Sequence, residues 1–191
     1  NAKTLESLWI FEDSIGGQSL SPIVYSDGYL YTGFWKQEKK EANYVCIDVT
    51  DEDTTKSNEA KSARWVQKHN GGFYWAGGVV IGNAVIVGSD DGQDEGDHGT
   101  STLYAFDKYT GEIITSAALD GAGDQRSSIA YDEANQRIYF TTKGGYLYCA
   151  TVDPVSGKFS DLKRKSFGMQ STSTPVVYNN RLYFGVGAGF S

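Results

Sequence analysis

The chain has 191 residues, with 17 Lys and Arg dispersed among 24 Asp and Glu for a formal net charge of −7. That balance repels a phosphate backbone, so nucleic acid is not an expected partner. No window approaches eighteen consecutive apolar residues and no secretory pattern is visible at the start, so no membrane insertion is read from the chain. Its 39% hydrophobic and 14% aromatic residues, with 23 Gly and only 3 Pro, suit a tyrosine-rich β protein.

Residues 5 to 12, Leu-Glu-Ser-Leu-Trp-Ile-Phe-Glu, read as one strand, and Asp13 to Gly17 read as a turn. With nothing upstream to pair with, residues 1–17 are expected to supply the outer strand of a preceding or closing sheet. Residues 18–70 form the first complete unit. It opens with a hairpin, Pro22 to Tyr25 and Tyr29 to Gly33 about Ser26-Asp27-Gly28, where Pro at the strand start loses no ladder bond. A third strand at Tyr44 to Val49, a polar excursion from Thr50 to Lys61 and a fourth strand at Ala63 to Val66 complete it.

Residues 71–122 repeat the order. Val79 to Ile81 and Ala84 to Val87 flank a Gly82-Asn83 turn, and their unbroken apolar character predicts burial on both faces. An acidic loop, Asp90 to Gly99, leads to strands at Ser101 to Asp107 and Glu112 to Ala118. Residues 123–168 give a third unit, with strands at 128–131, 137–141, 146–151 and 158–167. In the last of these, Lys163, Arg164 and Lys165 fit an exposed edge that discourages pairing with other molecules. Residues 169–191 begin a fourth unit, Thr174 to Tyr178 and Arg181 to Gly185, and supply only two of its four strands.

The third strands carry a recurring signature. Leu103-Tyr104-Ala105-Phe106-Asp107 is followed by Thr110-Gly111, and weaker copies are Tyr44 to Asp48 and Tyr146 to Cys149 with Asp153, Ser156 and Gly157. A β-prone run ends in an Asp that bonds its own backbone and a Gly that accepts positive φ, so each copy is a strand that reverses. Three copies in one chain predict a radial array of blades. Cys46 and Cys149 occupy matching places in different blades, too far apart for a disulfide, and read as small fillers of the third strand.

Ala105-Phe106-Asp107-Lys108-Tyr109-Thr110-Gly111-Glu112 resembles the repeat of the PQQ-like, quinoprotein dehydrogenase-like β-propellers. Ser-Pro-Ile-Val-Tyr at 21 to 25 and Thr-Pro-Val-Val-Tyr at 174 to 178 look like that family's inner strand. The family's Trp after the turn is replaced by Thr115, with Trp65 and Trp9 as candidate equivalents elsewhere. The resemblance implies an all-β propeller of four-stranded blades, about three complete here with partial strands at both ends. It invites an enzyme reading, yet quinoprotein dehydrogenases of this kind use an adjacent cysteine pair above the cofactor, and this sequence has none. Many family members are cofactor-free scaffolds of the bacterial envelope, so the resemblance implies a non-catalytic, extracytoplasmic binding protein. A start at Asn1 without Met adds the expectation of a piece of a longer protein.

Strand alternation places the second-to-third loops and the connections between blades on one face. That face is expected to carry Phe34, Trp35, Phe73, Tyr74, Trp75 and Arg126, with Gln18, Gln125 and Gln170 nearby. Loop aromatics beside amide and guanidinium groups suit stacking on a sugar or anchoring a protein; the other reading of Phe73 and Trp75 is that they plug a contact between blades. Asp90, Asp91, Asp94, Glu95 and Asp97 form the densest charge cluster, a solvated loop by default and the one candidate Ca²⁺ site, though its spacing departs from the EF-hand. His69 and His98 have no ligand-spaced partner for zinc. The expectation is therefore a protein or glycan ligand on the loop face, no catalysis and no PQQ, and oligomers through open blade edges. A PQQ-dependent oxidoreductase fragment and a carbohydrate-binding propeller are the alternatives.

Overall fold

A computed structural model describes residues 1–187; the end of the fourth unit, 188–191, lies outside the described residues. Strand β1 is Trp9–Phe11. The first antiparallel sheet is β2 (Val24–Ser26), β3 (Tyr29–Gly33), β4 (Glu41–Asp48) and β6 (Trp65–Asn70), with β5 (Glu59–Lys61) inserted before β6. The second runs β7 (Val79–Ile81), β8 (Ala84–Gly88), β9 (Ser101–Asp107), β10 (Ile113–Leu119). The third runs β11 (Ala130–Asp132), β12 (Arg137–Thr142), β13 (Tyr146–Val152), β14 (Phe159–Ser166). The fourth begins with β15 (Val176–Tyr178) and β16 (Arg181–Tyr183). The described residues are all-β, three four-stranded blades and the opening hairpin of another.

Alternation along each strand sends side chains to both neighbours, so every blade face becomes an interface. On β8, Val85 and Val87 join Tyr31, Tyr44, Cys46 and Trp65 of the first sheet, while Ile86 on the opposite face joins Ile129, Ile138 and Phe140 towards the third. This two-sided burial is what the unbroken apolar run foretold. Each fully buried large side chain contributes roughly 1.5–3 kcal/mol.

The repeat turn reverses the chain between the third and fourth strands of one blade and packs against the blade before it. Asp107 accepts from the backbone N–H of Tyr109 and of Thr110, both at 2.9 Å, and the turn closes at Gly111 with φ +78°. Asp153 does the same for Val155 and Ser156, closing at Gly157 with φ +74°. A Cβ on Gly111 would stand 2.7 Å from the Trp65 ring of the preceding blade, so glycine also permits the close approach. Trp65 Nε1 and Tyr31 Oη both donate to the Lys108 carbonyl, at 3.1 and 3.0 Å.

The N-terminal strand differs from expectation. β1 pairs in parallel with β5, Trp9 opposite Glu59, instead of joining another blade. The reason is the first sheet's free face: Leu30, Val45 and Ile47 point away from the second sheet, and Trp9 and Phe11 pack on them. Asn43 Nδ2 donates to Asp13 Oδ1 at 2.6 Å, and Gln18 and Trp35 exchange backbone hydrogen bonds, which fastens the segment. The excursion expected to be loop thus supplies a strand, and the outer strand starts at Trp65 opposite Cys46, two residues later than read. On the fourth unit, Val176, Tyr178 and Tyr183 are exposed, with no such cover among the described residues.

Cys46 is buried and Cys149 half-buried, and both are free thiols. His69, read as a loop residue, lies in β6 with Nδ1 2.9 Å from Tyr104 Oη of the second sheet. Burial pulls its pKa below the usual imidazole range. The folded imidazole then holds a proton less well than the unfolded one, so its contribution to stability is present above about pH 6.5 and is lost as pH falls below that value. Melting curves between pH 7.5 and 5.5 should show a smaller acid-side loss in His69→Gln than in the parent; equal slopes would show that His69 does not titrate with folding.

Candidate functional site

The connections on one face converge on a cleft of about 670 Å³. Trp35 and Glu38 come from the β3–β4 loop, Tyr74 and Trp75 from the link between the first two blades, and Glu95 from the β8–β9 loop. Arg126 comes from the next link, Lys143 from the β12–β13 turn, and Gln170 to Ser173 with Gly185 to Gly187 from the fourth unit. Every blade therefore contributes a wall.

Three aromatic rings form its apolar side. Tyr74 stacks on Trp35 and on Trp75, with ring centres 4.6 Å apart in each pair. Trp75 is 43% exposed and sits at φ +61°, a left-handed conformation that costs an L-residue roughly 1–2 kcal/mol. The Arg126 guanidinium lies 4.7 Å from the Tyr74 ring centre and 5.8 Å from that of Trp75.

Arg126 is held by carboxylates from three places in the chain. Its Nη2 is 2.8 Å from Asp90 Oδ2, 3.0 Å from Asp124 Oδ2 and 3.1 Å from Glu38 Oε1. Asp124 also meets Lys143 Nζ at 3.3 Å, and Lys143 reaches Glu95 Oε1 at 2.5 Å. Burial, with the charge of Asp124 adding to it, pushes the Asp90 carboxyl well above the usual carboxylate range; burial also raises Glu38 and Asp91. Burial works against the Arg126 charge, but Asp90, Asp124 and Glu38 outweigh it and hold the guanidinium protonated.

The acidic run divides accordingly. Asp90 is fully buried on Arg126 and Asp91 is buried, accepting from the backbone of Gln93 and Gly99, whereas Asp94, Glu95 and Asp97 are exposed. The solvated-loop reading fails for the first two because Arg126 draws Asp90 inward. Among the described residues, the carboxylates close enough to share a cation are Glu38, Asp90 and Asp124, and Arg126 Nη2 contacts all three.

Of the aromatics singled out from sequence, Trp35, Tyr74 and Trp75 are brought together with Arg126. Phe34 and Phe73 are not. Phe73 is 1% exposed and plugs the contact between the first two blades, 5.2 Å from the Tyr44 ring centre, while Phe34 packs near Phe11 on the capped face. Gln125 is buried against Gly88, and Gln18 pairs with Trp35. Sequence reasoning missed Glu38, Asp124 and Lys143; the Asp124-Gln125-Arg126 triplet, two opposite charges inside a blade connection, was the available signal.

No protein-family model matches the sequence, and no curated protein matches it. Solved structures do. BamB from Moraxella catarrhalis superposes with a TM-score of 0.57 at 16% identity, over 89% of this chain and 44% of that one. A europium-containing methanol dehydrogenase gives 0.51 at 12% identity, over 85% of this chain and 36% of that one. The chain thus spans less than half the length of either. The likeness shows a β-propeller fold.

Proposed function

We propose that the chain is a non-catalytic binding propeller whose ligand site is the cleft on its loop face. The observation that carries this reading is the convergence of all four units on the Trp35–Tyr74–Trp75 stack, with Arg126 clamped beside it. Rigid aromatic area at a rim beside fixed polar groups is the composition of binding hot spots. The charged side chains of the cleft are paired with one another, which fixes their geometry. Both cations are already neutralised, which argues against holding a polycarboxylate quinone such as PQQ. The extracytoplasmic placement implied by the PQQ-like resemblance completes the proposal, and no helix among the described residues is long and apolar enough to cross a membrane.

The test uses tryptophan fluorescence of the whole chain against peptide and glycan panels, and against PQQ with Ca²⁺. Saturable binding of a peptide or glycan should weaken at least tenfold in Trp75→Asn, since Asn keeps the left-handed backbone and removes the ring. Saturable PQQ binding with dye-linked alcohol oxidation would replace this reading with the oxidoreductase one.

A further inference from the structure

We propose that the cleft receives a basic side chain, Lys or Arg, carried by an extended segment of a partner protein. This deepens the binding reading above and rests on it. Four carboxyl groups, Glu38, Asp90, Glu95 and Asp124, face two cations, Arg126 and Lys143, so acidic groups outnumber basic ones two to one. The two cations are buried and spoken for, with side chains only 5% and 9% exposed, so an anion entering the cleft finds no free positive group. Glu95, by contrast, has a side chain 69% exposed at the mouth. Asp90 Oδ1 and Glu38 Oε2, both buried, have no hydrogen-bond partner among the described residues, so the acidic wall keeps unused acceptors.

The aromatic side points the same way. Trp presents the strongest quadrupole of the side chains to a cation, and Trp75 offers its ring at the rim of an acidic cleft. Arg126 already shows the chemistry in miniature, a guanidinium against Tyr74 and Trp75 with carboxylates around it. A second cation would repeat that arrangement on the solvent side, between Trp75 and Glu95. The cleft volume of about 670 Å³ falls within the range of sites that enclose a ligand of several residues' side-chain size. The neutral wall of Gln170 to Ser173 supplies amide and hydroxyl groups for the peptide backbone that carries the cation.

Isothermal titration of the whole chain with acetyl-(Arg-Gly)3-amide, acetyl-(Lys-Gly)3-amide, acetyl-(Glu-Gly)3-amide and maltohexaose tests this. The two basic peptides should bind saturably, lose at least tenfold in affinity between 50 and 500 mM NaCl, and bind at least tenfold more tightly than the acidic peptide. Trp75→Asn should weaken the basic peptides at least tenfold and Glu95→Gln at least fivefold, with unchanged melting temperature. Basic peptides that bind both variants as well as the parent are held by the general acidic surface, and the proposal falls. Maltohexaose or the acidic peptide binding in a Trp75-dependent way, with the basic peptides silent, overturns the basic-ligand inference and leaves the binding-propeller reading standing. Silence from all four probes overturns the inference; the wider reading then falls only with an empty peptide and glycan screen.

Discussion

Arg126→Ala should destabilise the protein by about 3–5 kcal/mol at pH 7, the usual cost of removing one partner from a buried ion cluster. The guanidinium is the common partner of Asp90, Asp124 and Glu38, and Asp90 is fully buried. Without it, Asp90 and Glu38, already held above the usual carboxylate range by burial, would have to stay charged beside Asp124 or take up protons. The deficit should therefore shrink on acidification. In the variant the folded carboxyls bind protons at higher pH than the unfolded ones, so lowering the pH from 7 towards 5 restores stability relative to the parent. Urea unfolding of both proteins at the two pH values reads this directly. A deficit independent of pH would mean that Arg126 matters as packing against Tyr74 and not as charge.

Trp65→Ala should cost about 3–5 kcal/mol, the range for an aromatic lost from a core. Trp65 is buried among Tyr31, Tyr44 and Phe106, and its Nε1 holds the Lys108 carbonyl of the neighbouring blade. The same ring lies on Gly111, so the substitution opens a void on both sides of the blade contact. Thermal melts should show the loss, and Trp65→Phe should recover part of it by refilling volume without the hydrogen bond. A loss below about 1 kcal/mol would mean that the blades are held chiefly elsewhere.

What was legible in the sequence is what depends on neighbours in the chain. The turn of Asp107, Thr110 and Gly111 is made by residues within five positions of one another, and the alternation of β8 is decided by its own apolar run. Both are visible before any fold is known. The cleft is different in kind. Asp90 reads as one carboxylate in a solvated run, and only Arg126, 36 positions away, makes it a buried residue. Phe73 and Trp75 stand two residues apart in one connection, yet one plugs a blade contact and the other faces solvent. The positive φ of Trp75 turns its ring out, and nothing in the letters announces that. The segment before the first blade was misplaced for a related reason: its partner β5 lies in a polar stretch without strand character, and the pairing exists because Trp9 and Phe11 seek the bare face of Leu30, Val45 and Ile47.

That cap gives loss of order a direction. Adjacent blades share the apolar faces, and Arg126 adds a link from the third unit back to Glu38 of the first, so each unit is steadied by those around it. Opening from the first blade requires Trp9 and Phe11 to peel away and the Trp65 lock on Lys108 to break. At the fourth unit, the hairpin of β15 and β16 leaves Val176, Tyr178 and Tyr183 exposed among the described residues. The same hairpin unit supplies the last wall of the cleft, Gln170 to Ser173 and Gly185 to Gly187. A ligand that spans the cleft is therefore a clasp across all four units, and occupancy and order of its walls rise together.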